Sequence, residues 1–414
     1  TAFAAFLPVL DRWHAPVTFA VEGVETQGAR GGVLRPIDGL AINRLSAAVT
    51  LGAGTISQRD APPLMVMGGK AALNVTPTAP GARAARVVLR QADLTLTSMA
   101  GVPTRFSASA EFLLSDLVKP RKIHAIAHAE GTDFEVQALS AIWPVNIMKG
   151  ARRWTTRNIV SGHGRGLAVT SVLESSSGWD GLQPTAMYGS LHIDDGTLYW
   201  LRPVRPAEHV SADLGFAKPD VLRVVVHSGE QRADDAPDAP ALHLSNGEIL
   251  IDNLFGRDQN GTFSLDFDGD IDAYFRLLSV PRLHLLSRAA MPFDHSSGPL
   301  HARATLKLPL ATHIRDEDIR VQVEGAYHDI YLGHLVIGRS VDGLTGTLRA
   351  TERALDVSAS GLLSGVRTTA TMHQEFHHNT PNDVIEDVRA VAALDPQSAL
   401  KAPLGPEGLF DGQA

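Results

Sequence analysis

The chain has no cysteine among its 414 residues. That absence removes disulfides, thiolate nucleophiles, iron–sulfur clusters and cysteine-based zinc sites together. Aromatic residues make up only 6%, so the apolar set is Val, Leu, Ala and Ile, which suits an aliphatic surface better than a sugar-stacking one. No run of about 18 apolar residues occurs, which argues against a transmembrane helix within the chain. Positive charge is lacking too. The net charge is −8, whereas a nucleic-acid binder carries a basic patch or stripe. The short basic clusters Arg152-Arg153 with Arg157, and Lys119-Pro120-Arg121-Lys122, read as solvated loops or helix ends.

What the sequence does have is alternation. Phe263–Phe267, Ala302–Leu308, Ile319–Val323 and Leu355–Ala359 switch between apolar and polar residues at every step. Period two means a strand with one dry and one wet face. Similar stretches recur from about Val17 to about Thr371, and little in the chain is fit to form a helix long enough to cover them. A sheet must bury its apolar face against another sheet, against itself, or against a ligand with long apolar tails. The expectation is a mainly β fold, a long curved antiparallel sheet forming an open apolar groove, with one or two short helices.

The helices are expected at Lys149–Val160, ending on Gly162 as a cap, and at Asp272–Arg288, broken by Pro281. Asp195-Gly196 and Asn246-Gly247 read as two-residue hairpins. Organisation follows as a β-groove segment over 1–138, a helical element over 139–164, a second β-groove segment over 165–376, and a polar, Pro-rich tail over 377–414. A short helix is expected in that tail at Asp383–Leu394. The chain opens on Thr1 rather than Met and reads as a piece of a longer or processed protein, with any anchor outside it.

Candidate chemical motifs are weaker than their structural readings. Asp266-Phe267-Asp268-Gly269-Asp270-Ile271-Asp272 places four carboxylates at every second position. Its Gly precedes the third acidic position, unlike a calcium loop, and the wet face of a strand explains the spacing. His373-Gln374-Glu375-Phe376-His377 misses the zinc-protease spacing by one residue. Gly162–Gly166 is glycine-rich but leads into a strand rather than a helix, so it reads as a turn. Asp194-Asp195 sits where Asp is favoured conformationally. No nucleophile elbow is present. No catalytic residue, metal site or cofactor is expected, and the protein reads as no enzyme.

One constellation resembles a known family. Ile142-Trp143-Pro144, then Ala151-Arg152-Arg153-Trp154, Asn158-Ile159 and Gly162, is similar to an element of the AsmA-like envelope proteins of Gram-negative bacteria, and more narrowly of their large YhdP-type members. Asn246–Asn253, Gly298–Leu310, Leu355–Gly361 and Val366–Thr371 resemble the family's strands, so the likeness spans roughly residues 15 to 375. The chain departs from the family in lacking an N-terminal membrane helix and in its tail after Glu375. The resemblance implies a bridge-like lipid-transfer protein in the periplasm, anchored in the inner membrane outside this chain. Its partners would be phospholipids and possible outer-membrane or envelope proteins, with no nucleic acid. Groove-lining residues are then expected at Phe263, Leu265, Phe267, Leu306, Leu308, Val321, Val323, Leu355 and Val357, whose alternative role is ordinary sandwich core. Trp143, Pro144, Arg152, Arg153 and Trp154 are expected to plug or cap the groove, with Arg152 and Arg153 meeting anionic head groups. Two rival readings are an envelope scaffold or calcium-binding β-sandwich protein, and a polysaccharide hydrolase with paired carboxylates.

Overall fold

A computed structural model describes residues 13–28, 40–57, 63–79, 82–97, 103–143, 147–200, 202, 204–234, 239–256, 258–280, 295–310, 315, 318–336, 339–376 and 386–392. Within them the chain is mainly β, an open antiparallel sheet with short helices. It clusters into two compact units. Unit 1 holds Thr1–Leu198, Val210–Val224 and Asp252–Arg257; unit 2 holds Tyr199–His209, Val225–Ile251 and Asp258–Ala414. Unit 1 runs through the helical element at 139–164 to Leu198.

Unit 1 contains β1 (Trp13–His14), β2 (Val17–Gly28), β3 (Leu40–Leu51), β4 (Gly54–Ile56), β5 (Leu64–Pro77), β6 (Ala85–Thr97), β7 (Pro103–Leu114), β8 (Ile123–Glu135), β9 (Ile159–Ser175) and β10 (Gln183–Leu198). The order β2-β3-β5-β6-β7-β8-β9-β10 is antiparallel at every step, with β4 on β5 and β1 on β4. Three strands, β11 (Ala207–Lys218), β12 (Val221–Arg232) and β13 (Ala241–Asp252), carry residues of both units. Unit 2 continues with β14 (Asn260–Asp270), β15 (Ser296–Ser297), β16 (Pro299–Pro309), β17 (Arg320–Val336), β18 (Arg339–Thr351), β19 (Ala354–Leu363), β20 (Val366–Glu375) and β21 (Glu386–Ala392). Here the order is β14-β16-β17-β18-β19-β20-β21.

The four alternating stretches fall in β14, β16, β17 and β19. Each of these strands extends beyond its alternating stretch, and β17 does so through Asp329, which takes a positive φ of 52°. Asp195 (φ 50°) and Asn246 (φ 46°) do take the left-handed conformation. Both lie inside strands, and the β9–β10 register shifts between Asp194 and Thr197. The expected hairpins at these pairs are therefore corrected to interruptions within β10 and β13. Gly162–Gly166 is likewise not a turn, and Gly162 not a cap: β9 begins at Ile159 and runs through them. Gly164 is required because a Cβ there would fall on the ring of Phe134. That ring packs on Phe106 with centroids 5.2 Å apart.

Two helices exceed one turn among the described residues. The first, α1 (Lys149–Asn158), joins β8 to β9 and buries none of its side chains. The second, α2 (Ile271–Leu278), buries Ile271, Ala273 and Leu277. Asp270 caps it by accepting the Asp272 N–H at 2.9 Å, and Arg276 pairs with Asp272 one turn back at 2.6 Å. This helix ends at Leu278 rather than continuing to Arg288, and residues 281–294 lie outside the described ones. The short helix expected at Asp383–Leu394 is a strand: β21 pairs with β20 from Gln374↔Glu386 to Thr368↔Ala392. Edge pairing has overridden the helix preference of its Glu, Arg and Ala residues.

Candidate functional site

In unit 2 the register gathers all nine expected groove residues on one face. Directly opposed residues of antiparallel strands share a face. Phe263 faces Leu306, which faces Val321, and Leu308 faces Gly261. Leu265 leads through Ala304, Val323 and Ala350 to Leu355. Phe267 leads through Ala302, Gly325, Leu348 and Val357 to Met372 and Val388. That last row crosses seven strands, about 29 Å at the usual strand spacing. The nine side chains are half-buried and none is sealed.

The opposite face of the same strands carries a charge ladder. Asp266, Arg303, Glu324, Arg349, Asp356, His373 and Asp387 stand directly opposite one another in sequence, one per strand. Signs alternate along the row. Arg303 reaches Asp266 at 2.7 Å, Arg349 reaches Glu324 at 3.5 Å, and His373 reaches Asp356 at 2.6 Å. The Asp356 carboxylate holds the His373 imidazole above its ordinary range. The Arg349–Glu324 and His373–Asp356 pairs are exposed and contribute little stability alone, whereas Asp266 is buried beneath Arg303. Together they fix the register, because a slip of one residue would put this row on the dry face.

The α2 helix covers one end of the dry face. Ile271 packs with Leu300, Tyr327, Ile330 and Leu332, and Tyr274 and Phe275 join this cluster beside Leu348 and Val357. Leu277 and Ala273 pack with Val204 and Leu242, beside Phe267. The Tyr274 hydroxyl donates to the Phe267 carbonyl at 2.6 Å and lies 3.1 Å from that of Leu300. Burial pushes the Tyr274 phenol far above its usual range and that of Tyr327 up to about 12, so both remain donors at neutral pH. Phe267 thus meets the helix, and Leu348 and Val357 belong to the cluster that Ile271 closes. Phe263, Leu265, Leu306, Leu308, Val321, Val323 and Leu355 belong to neither of these clusters.

Unit 1 has a comparable face that the sequence reading did not single out residue by residue. One row runs Val49, Ala71, Ala92, Ala108, Ala129, Val169, Gly189. Larger residues flank this floor at both strand ends. At one end Ile56, Val66, Leu96, Phe106 and Phe134 pack with Val136, Ala138 and Leu139. At the other, Leu114, Ile123, Ala125, Leu173 and Leu182 pack with Phe112 and Trp179. The signal that could have found it is small-residue alternation, as in Ala125-Ile126-Ala127-His128-Ala129.

The segment between β8 and β9 lies across this face. Ile142 packs against the first cluster and Ile147 against the second. Trp143 donates its indole N–H to the Ile147 carbonyl at 3.0 Å. The Arg152 guanidinium donates to the carbonyls of Trp143 at 2.9 Å and Ser140 at 2.6 Å. Arg152 is therefore turned inward as a brace. Arg153 and Trp154 point outward, the latter 49% exposed. Pro144 lies outside the described residues.

The remaining acidic motifs and His373 are occupied by protein partners, and His377 lies outside the described residues. Asp266 accepts from Arg303 and Asn246, Asp268 pairs with His301, and Asp270 holds the α2 N-terminus and the Gly298 N–H. Asp194 accepts from His192 and Arg165. Among the described residues no cluster of three or more His, Asp or Glu is placed to hold a metal ion, and no helix is long and apolar enough to cross a membrane. No protein-family model, curated protein or solved structure matches the chain.

Proposed function

We propose that this protein is a non-enzymatic phospholipid conduit of the Gram-negative envelope, working in the periplasm between inner and outer membranes. Acyl chains would lie on the aliphatic face while head groups stay in water. One observation carries the reading: rows of half-buried aliphatic side chains repeat across successive strands, with Leu265, Ala304, Val323, Ala350 and Leu355 forming one of them. A residue at each strand step, about 4.8 Å apart, offers a chain the same aliphatic contact at each position. Movement along the row then needs no bond chemistry, because neighbouring positions are close in free energy. Each methylene withdrawn from water contributes about 0.8 kcal/mol, so even partial coverage holds a long acyl chain.

The test is uptake of a fluorescent phospholipid by the purified chain. Saturable uptake with an emission shift to an apolar environment, lost in Val323→Asp, supports the conduit. A folded protein that takes up no lipid moves the assignment to an envelope scaffold.

A further inference from the structure

We propose that the exposed face of α1, together with the loop at 115–122, docks on the surface of an anionic phospholipid bilayer. The inference does not depend on the conduit reading, since a scaffold could use the same face. On α1 the exposed residues are Lys149, Gly150, Arg153, Trp154 and Arg157. Their spacing, at every fourth position with one neighbour, puts them on a single helix face. The helix contains no acidic residue, in a chain whose net charge is −8. Arg152 is the exception that defines the face: it turns inward to the Ser140 and Trp143 carbonyls.

The loop adds a second, preformed group of cations. Lys119, Arg121 and Lys122 are exposed, as is Val118. The Ser115 hydroxyl accepts the backbone N–H groups of Arg121 and Lys122 at 3.2 and 3.0 Å, which holds the loop backbone that carries them. The loop's one carboxylate, Asp116, is taken up by the N–H groups of Val118 and Lys119 and by Arg83. Leu117 of the loop and Ile147, two residues before α1, pack against the same cluster. This ties both basic groups to one end of the unit 1 sheet.

Six cations beside an exposed indole and an exposed valine are the chemistry of a membrane interface. Lysine and arginine meet lipid phosphates, and tryptophan settles at head-group depth with its ring on the apolar side. A nucleic acid would use the cations but has no apolar layer for Val118.

The test is co-sedimentation of the full chain with phosphatidylcholine vesicles, with and without phosphatidylglycerol. Binding is expected only with phosphatidylglycerol, weakening as salt rises. Each lost charge should lower the partition coefficient about fivefold, so Lys149→Gln/Arg153→Gln/Arg157→Gln together should lower it about 100-fold. Arg153→Gln alone, a solvent-facing change, gives the fivefold step should the triple variant fold poorly. Leu265→Asp, on the aliphatic face of unit 2, should bind these vesicles normally even if it loses bound lipid, which separates this proposal from the conduit. Equal binding to pure phosphatidylcholine, or unchanged binding in Arg153→Gln and the triple variant, overturns it. So does tighter binding to single-stranded RNA than to the anionic vesicles through the same residues.

Discussion

Replacing Arg152 by Gln separates a brace from a head-group ligand. The wild-type guanidinium makes hydrogen bonds of 2.9 and 2.6 Å to two backbone carbonyls. A bond to a charged donor contributes about 1.5–3 kcal/mol when shielded. Arg152 is half-buried, so water competes, and the two bonds together are worth about 2 kcal/mol. Gln is too short to serve both carbonyls. In a unit of this size each kcal/mol moves Tm by about 2–4 °C, which predicts a fall of about 4–8 °C in one calorimetric transition. Binding to anionic vesicles should change far less than in Arg153→Gln. An unaltered thermogram, with vesicle binding lost as fully as in Arg153→Gln, would refute the inward role of Arg152.

Four other outcomes follow from the same geometry. Tyr274→Phe removes the donor to the Phe267 carbonyl and should cost about 1–2 kcal/mol in denaturant unfolding; no change would mean that α2 is not held through this hydroxyl. Gly164→Ala places a methyl group against the Phe134 ring and should destabilise by about 1–3 kcal/mol, with a changed near-UV signal. Arg349→Glu puts three carboxylates in a row with Glu324 and Asp356. It should cost at most about 1 kcal/mol, more at low salt than at high, and a salt-independent loss would contradict the ladder. Hydrogen bonds to Asp213 and Asp194 hold His192 above its ordinary pKa. A raised folded-state pKa gives stability that is complete below about pH 6.5 and is lost as pH rises through the folded value. Tm should therefore fall over that window in the wild type and less so in His192→Gln.

The strands were legible because period-two alternation survives where one face is wet, as in Leu355-Asp356-Val357-Ser358-Ala359. Their ends were not. Asp-Gly and Asn-Gly favour positive φ in a hairpin and in an interrupted strand alike, so Asp195 and Asn246 could not tell a turn from the interior of β10 or β13. The β21 strand was missed because its partner edge, β20, is set by tertiary pairing rather than by its own residues. The nine apolar residues could be assigned to a dry side, but not to a covered or an open part of it. That depends on where α2 lies, and the apolar stripe of Ile271–Leu278 says only that the helix packs on something. Arg152 and Arg153 are adjacent and identical in type, and only the carbonyls of Ser140 and Trp143 separate their roles.

The central claim is that the aliphatic rows of unit 2 hold phospholipid acyl chains, and native mass spectrometry of the gently purified chain, with lipid extraction of the same sample, tests it most directly. The account predicts co-purifying phospholipid in the wild type. It also predicts loss of that lipid in Leu265→Asp and in Val321→Asp, each retaining a wild-type circular dichroism spectrum. A lipid-free wild-type protein, or lipid retained undiminished in both folded variants, would contradict it.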